Sequence, residues 1–273
     1  MGYIILVSMI IFICMFAFTV SLMAYDDLLT DWAGLNTARS LGIQGNIIYG
    51  TASKSFDKDG EKFDADATNI RIPIFAQYGI SDKLNVNATV PIVSTKNGDT
   101  ESGIGDIWLG LKYSVLGDEL LNARVSVQLP SGDDDKGLGN PGGVGVNVGV
   151  HAFKPINESI ILTGQAGLRF AGEDSDTKWA PGMMIYVFPV VGYRVNETIT
   201  VGAGVEAVMA GDGQMDGTDM DDTGINWIEP WIYGIYTLPN GMECMCSIGN
   251  VVSGKNASNN LDVYFRLNRN FDF

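Results

Sequence analysis

Apolar and polar residues alternate through most of this chain, most plainly at its end. Between residues 260 and 273, Leu261, Val263, Phe265, Leu267, Phe271 and Phe273 recur at every second position, with Arg269 as the interruption. Asp262, Tyr264, Arg266, Asn268, Asn270 and Asp272 lie between them. A strand has a period of two, so the stretch predicts one apolar and one polar face. The pattern repeats upstream. Ile107, Leu109, Leu111, Tyr113 and Val115 oppose Asp106, Trp108, Gly110, Lys112 and Ser114; Val125, Val127 and Leu129 oppose Arg124, Ser126 and Gln128; Val144, Val146, Val148 and Val150 oppose Gly145, Asn147, Gly149 and His151. Twelve strands are predicted, beginning near residues 40, 68, 84, 104, 123, 144, 159, 183, 198, 227, 242 and 260.

Short polar turns fall at Ser81-Asp82-Lys83, near Gly117-Asp118, at Asn157-Glu158, at Asn196-Glu197 and at Pro239-Asn240-Gly241. They are about forty residues apart, and Phe273 closes the series. That period also suits propeller blades, but each period here holds two strands of about ten residues rather than four short ones. Strands of about ten residues, tilted, match the apolar thickness of a membrane, whereas globular strands run to about five or six.

A soluble sandwich and a membrane barrel share the alternation, and three observations favour the barrel. Tyr78, Tyr113, Tyr193 and Tyr236 lie on the apolar face shortly before a turn, level with Phe271 and Phe273, as in an interfacial girdle. All short turns lie at one end and all long loops at the other. The acidic excess sits in those loops, for example Asp133 to Asp135 and Asp219 to Asp222. The expected fold is all-β: a transmembrane antiparallel up-and-down β-barrel of about 12 strands over residues 40–273, with short periplasmic turns and long acidic external loops. Its last strand should pair with residues 41–51 to close the wall, since a closed barrel has no free edge.

Charge narrows the partners. Seventeen basic residues against 32 acidic ones give a net charge of −15. Nucleic acid is excluded as a partner, because phosphate binding needs clustered Lys and Arg. Residues 1–24 carry no charged side chain and read as a signal peptide, the alternative being an uncleaved membrane helix. Residues 25–39 form a short mixed segment of one or two helical turns at the periplasmic side, where it can act as a plug. The expected location is the outer membrane of a Gram-negative bacterium. The lipid partners there are outer-membrane lipid and lipopolysaccharide.

Two stretches carry a resemblance. In residues 102–116, Gly103, Gly105 and Asp106 open a strand that ends in Lys112-Tyr113; in residues 129–143, Leu129-Pro130-Ser131-Gly132-Asp133 opens an external loop. Their order and spacing resemble the outer-membrane family named after the meta-pathway of phenol degradation. The resemblance implies an outer-membrane channel or transporter for small solutes, with aromatic or other hydrophobic compounds as suggested cargo. The terminal strand also resembles those of bacterial outer-membrane barrels, which implies that Phe273 is a signal to the outer-membrane assembly machinery.

The inward face offers Arg71, Asp106, Lys112, Arg124, His151, Arg169, Arg194, Glu206, Glu229, Glu243, Asp262 and Arg266 as pore-lining candidates. Charges inside a barrel must be paired or wet, and a near balance of signs predicts little ion selectivity. Inward glycines, among them Gly42, Gly50, Gly110, Gly145, Gly149, Gly167, Gly202 and Gly204, predict open space. The competing expectation is a non-conducting structural or adhesion barrel whose network fills the interior.

No catalytic, cofactor or metal site is read, so an enzyme is not expected. His151 has Phe153 where a barrel phospholipase has its Ser. Gly137-x-Gly139-x-x-Gly142 follows three aspartates and leads into a strand, unlike a dinucleotide loop. The Asp212–Asp219 loop has the Gly of a Ca²⁺ loop but Thr223 in place of its Glu. Cys244 and Cys246 are two apart on one strand face, too distant for an unstrained disulfide.

Overall fold

The computed structural model describes residues 34–97, 99–117, 120–139 and 142–273. Residues 1–24, expected to be a signal peptide, and most of the 25–39 segment lie outside the described residues. The twelve wall strands are β1 (Ser40–Phe56), β2 (Lys62–Ser81), β3 (Leu84–Asn97), β4 (Asp99–Ile104 continued by Ile107–Leu116), β5 (Leu121–Leu129), β6 (Gly145–Pro155), β7 (Ile160–Ala171), β8 (Met184–Arg194), β9 (Ile199–Ala210), β10 (Ile225–Thr237), β11 (Glu243–Asn250) and β12 (Leu261–Asp272). Each pairs antiparallel with its neighbours in sequence, and β12 pairs with β1, so the sheet is closed. The seam runs without a break from Ser40 opposite Asp272 to Thr51 opposite Leu261.

Strand starts agree with the alternation except in β2 and β4. The β1–β2 hairpin continues up to Phe56 opposite Lys62, in a stretch (Lys62 to Asp66) where the polar residues erase the two-face pattern. The first part of β4 likewise forms a hairpin with β3, ending at Asn97 opposite Asp99.

Four of the short turns share one chemistry. Asn157 Oδ1 accepts from the N–H groups of Ser159 and Ile160, and Asn196 Oδ1 from those of Thr198 and Ile199. Ser81 Oγ does the same for Lys83 and Leu84, and Asn240 Oδ1 for Met242. A side chain that mimics a backbone turn is why these sequences look alike. At the other end the loops are built rather than loose. Trp179–Ala180, Gln214–Met215 and Thr218–Asp219 form a small sheet, whose hairpin turns at Asp216-Gly217, both with positive φ, 50° and 72°. The loop weighed as a Ca²⁺ site is therefore a two-residue hairpin, with Asp212 Oδ1 accepting from Gly224 N–H at 2.6 Å.

Face assignment follows the sequence. Leu109, Leu111, Tyr113, Val125, Val148 and Val150 point outward and are exposed, while Trp108, Lys112, Arg124, Gln128, Asn147 and His151 are buried inside. The four girdle tyrosines and Phe271 also face outward, near the turn end. Among the described residues no helix is long and apolar enough to cross a membrane; the outward apolar band belongs to the strands.

Candidate channel lumen

The inward face divides into a polar wall and an apolar one. On the polar wall, Arg124 Nη2 donates to the Tyr186 hydroxyl at 2.7 Å, and that hydroxyl donates to Asn147 Oδ1 at 2.9 Å. Arg169 Nη2 donates to Gln128 Oε1 at 2.7 Å while its guanidinium lies 4.9 Å from the centre of the Trp108 ring. Gln128 in turn donates to Asp106. Lys112 is fully buried opposite Arg124, so the cations of this wall are held among amides and aromatic faces.

The two sequence motifs meet in space. Asp106 Oδ1 accepts from the N–H groups of Ser131 and Gly132 at 3.1 and 2.9 Å, and Ser131 Oγ donates to Gly105 O at 3.0 Å and accepts from Ile107 N–H at 2.9 Å. Gly132 and Gly139 are in backbone contact that leaves no room for a Cβ, and Leu138 is buried, 5% exposed, against Gly103 and Gly105. The Gly-Asp pair interrupts β4 so that the external loop after β5 can be pinned over the wall. Asp106 is thus a clamp on that loop, a role the sequence pattern did not reveal.

The apolar wall was not foreseen. Ile48, Phe188, Val190, Trp231, Met245 and Tyr264 pack together in one buried cluster; Phe56, Met184, Tyr186, Val208, Ile225, Trp227, Val251 and Ala257 form a second. Apart from Val251 and Ala257, which lie between β11 and β12, these side chains come from β1 and β8 to β12 and point into the barrel. The inward glycines do not keep space open, contrary to the expectation. A Cβ at Gly50 would meet the Asp262 carboxylate, at Gly110 the Asn87 amide, at Gly149 and Gly167 the Tyr186 hydroxyl, at Gly202 the Tyr233 ring and at Gly204 Phe188 and Val190. Glycines are the recesses into which large neighbours fold.

Of the twelve pore-lining candidates, Arg71, Asp106, Lys112, Arg124, His151, Arg169, Glu206, Glu229, Asp262 and Arg266 are inside and buried. Arg194 is exposed at the turn end, where its Nη1 donates to Glu158 O at 3.3 Å, and Glu243 is half-buried. Both stand there because they occupy strand termini, beyond the packed middle. Four candidates, His151, Arg194, Glu243 and Arg266, come together around a cavity of about 640 Å³ at the turn end, with Phe153, Tyr233 and Asn268. His151 Nε2 is 3.1 Å from Thr163 Oγ1.

The chain before β1 reaches into this cavity. Gly34, Leu35 and Asn36 line it. Asn36 N–H donates to Asn85 Oδ1 at 2.6 Å, Asn36 Nδ2 to Gln77 O at 2.7 Å, Asn85 Nδ2 to Asn36 O at 3.0 Å and Gln77 Nε2 to Gly34 O at 2.7 Å. Residues 34–37 are not helical.

A closed twelve-stranded barrel with an outward apolar band, one-sided short turns and a lumen of buried charges defines an outer-membrane channel fold. The chain belongs to the family described as "Putative MetA-pathway of phenol degradation", whose profile matches residues 36–227. The crystal structure of an outer membrane channel from Pseudomonas putida F1 superposes with a TM-score of 0.75 at 16% identity, covering 88% of this chain and 98% of that one. The translocator domain of the autotransporter NalP from Neisseria meningitidis gives a TM-score of 0.54 at 8% identity, covering 93% and 96%. At these identities the likeness is one of fold. No curated protein matches the sequence.

Proposed function

We propose that the barrel is a passive outer-membrane channel for small solutes, aromatic or hydrophobic compounds among them. The observation that carries this is the 640 Å³ cavity at the turn end, lined by both charge signs and by Phe153 and Tyr233, and continuous with an apolar wall of Phe188, Trp231 and Tyr264. Pockets of a few hundred Å³ with apolar walls and a few placed polar groups suit small organic molecules. The family description and the channel from Pseudomonas putida F1 support the same reading. The pore-lining role falls to the buried charges named above. The segment preceding β1 acts as a plug hydrogen-bonded to Gln77 and Asn85. Lipopolysaccharide surrounds the acidic loops, and Phe273 is the signal to the assembly machinery.

A second reading, a non-conducting structural barrel, is favoured by the side chains that fold over the lumen glycines. A liposome-swelling panel of sugars, phenols and short acids separates the two. Size-dependent swelling by small solutes supports the channel; none with any solute supports the structural barrel.

A further inference from the structure

We propose that Glu206, Glu229 and Asp262 form a site for a protonated amine head group inside the lumen. Glu206 on β9 stands directly opposite Glu229 on β10, and both are fully buried. Asp262 on β12, 2% exposed, projects over Gly50 into the same group. Arg71, Glu229 and Asp262 line one small cavity, and the Arg71 guanidinium acts electrostatically on all three carboxyls. Three carboxylates against one guanidinium leave an excess of negative charge when all are ionised. Like charges directly opposite on neighbouring strands are destabilising, and a buried carboxylate is costly without donors.

Among the described residues, no N–H donates a hydrogen bond to either oxygen of Glu206 or Glu229. Glu229 and Asp262 instead border a small cavity, with Arg71, Trp227, Ser258 and Asn260, that has room for about one water-sized group. Trp227 and Trp231 flank Glu229 on the inward face of β10, and an indole beside a cation is favourable. Among the described residues, no three acidic, His or Cys groups lie close enough to hold a metal ion. Separated acceptors suit an ammonium group instead: it is water-sized and offers three diverging N–H donors.

Binding does not require that the lumen conduct, so the test is independent of flux. The full barrel, purified in detergent micelles, is titrated with methylammonium chloride, sodium chloride and tetramethylammonium chloride at matched ionic strength. The readouts are thermal unfolding and calorimetric binding. Methylammonium is expected to bind and raise the unfolding temperature, sodium and the oversized tetramethylammonium to do neither, and E206Q/E229Q to weaken methylammonium binding by about tenfold or more. Equal effects of the three salts on the wild-type barrel would overturn the site, and so would undiminished methylammonium binding by a folded E206Q/E229Q. Failure of the double variant to fold leaves the wild-type salt comparison decisive.

Discussion

Trp231 lies across Gly249: the strands β10 and β11 pair these two residues directly, and a Cβ on Gly249 would run into the indole ring. One of the two tryptophans on the inward face of β10 therefore depends on a glycine of β11. This contact seats the indole in the apolar wall of the lumen. Gly249→Val should displace the ring and destabilise the barrel by roughly 1–3 kcal/mol, the usual cost of overpacking. Trp231→Ala removes the indole from this wall; it should cost about 3–5 kcal/mol while raising single-channel conductance. Urea unfolding in micelles and planar-bilayer recording measure the two quantities.

The Asp106 clamp makes a different prediction. Asp106→Ala strands the N–H groups of Ser131 and Gly132 and the amide of Gln128. A loss of about 1–3 kcal/mol is expected for the partners left without an acceptor. The external loop after β5 should then become the first site cut by added protease, while the wall strands stay intact. An unchanged cleavage pattern would remove the loop-pinning role.

The external ion pairs carry a pH dependence with a definite sign. Asp222 Oδ2 accepts from Lys58 Nζ at 3.0 Å, and Lys255 Nζ lies 3.7 Å from Asp222 Oδ1. The hydrogen bond from Lys58, then its charge, holds the Asp222 carboxyl below its ordinary range and raises the Lys58 ammonium above its own. The Asp222 contribution is present above its unfolded value and lost as pH falls through the lower folded one. The Lys58 contribution is present below its unfolded value and lost as pH rises through the higher folded one. The loop contact should therefore hold across neutral pH and open below roughly pH 4. Both groups are fully exposed, so the effect on global stability should be small and reduced further by salt. Hydrogen exchange of the loops against pH and salt checks it.

Phe273 separates assembly from stability. Its side chain is 80% exposed and points outward, and its N–H donates to Arg39 O at 3.3 Å. Deleting it costs the finished barrel little packing. The account expects a sharp fall in folded barrel recovered from membranes, with nearly unchanged unfolding of what does assemble. Parallel losses in both would make Phe273 a packing residue only.

Sequence made the wall legible and much of the interior not. Period-two alternation located β12, β5 and β6 because their outward Val and Leu residues oppose Asn, Gln, Arg and His. In β8 and β10 that contrast fails. Tyr186, Phe188, Trp227 and Trp231 are apolar residues facing inward, between outward Ile185, Val187, Ile228 and Ile232, so both faces look alike. The glycines misled for a related reason: an empty Cβ position gives no hint that a neighbour's tyrosine fills it. Asp106 was recognised as inward, but its partners lie about 25 residues away on a returning loop, a separation no local pattern encodes.

Single-channel recording in a planar bilayer, comparing the full chain with a variant lacking residues 25–39, decides whether the lumen conducts. The full chain should show a small, reproducible conductance and the deletion a larger one, because Asn36 and its neighbours no longer occupy the cavity at the turn end. An intact, folded barrel that passes no current in either form would contradict a conducting lumen.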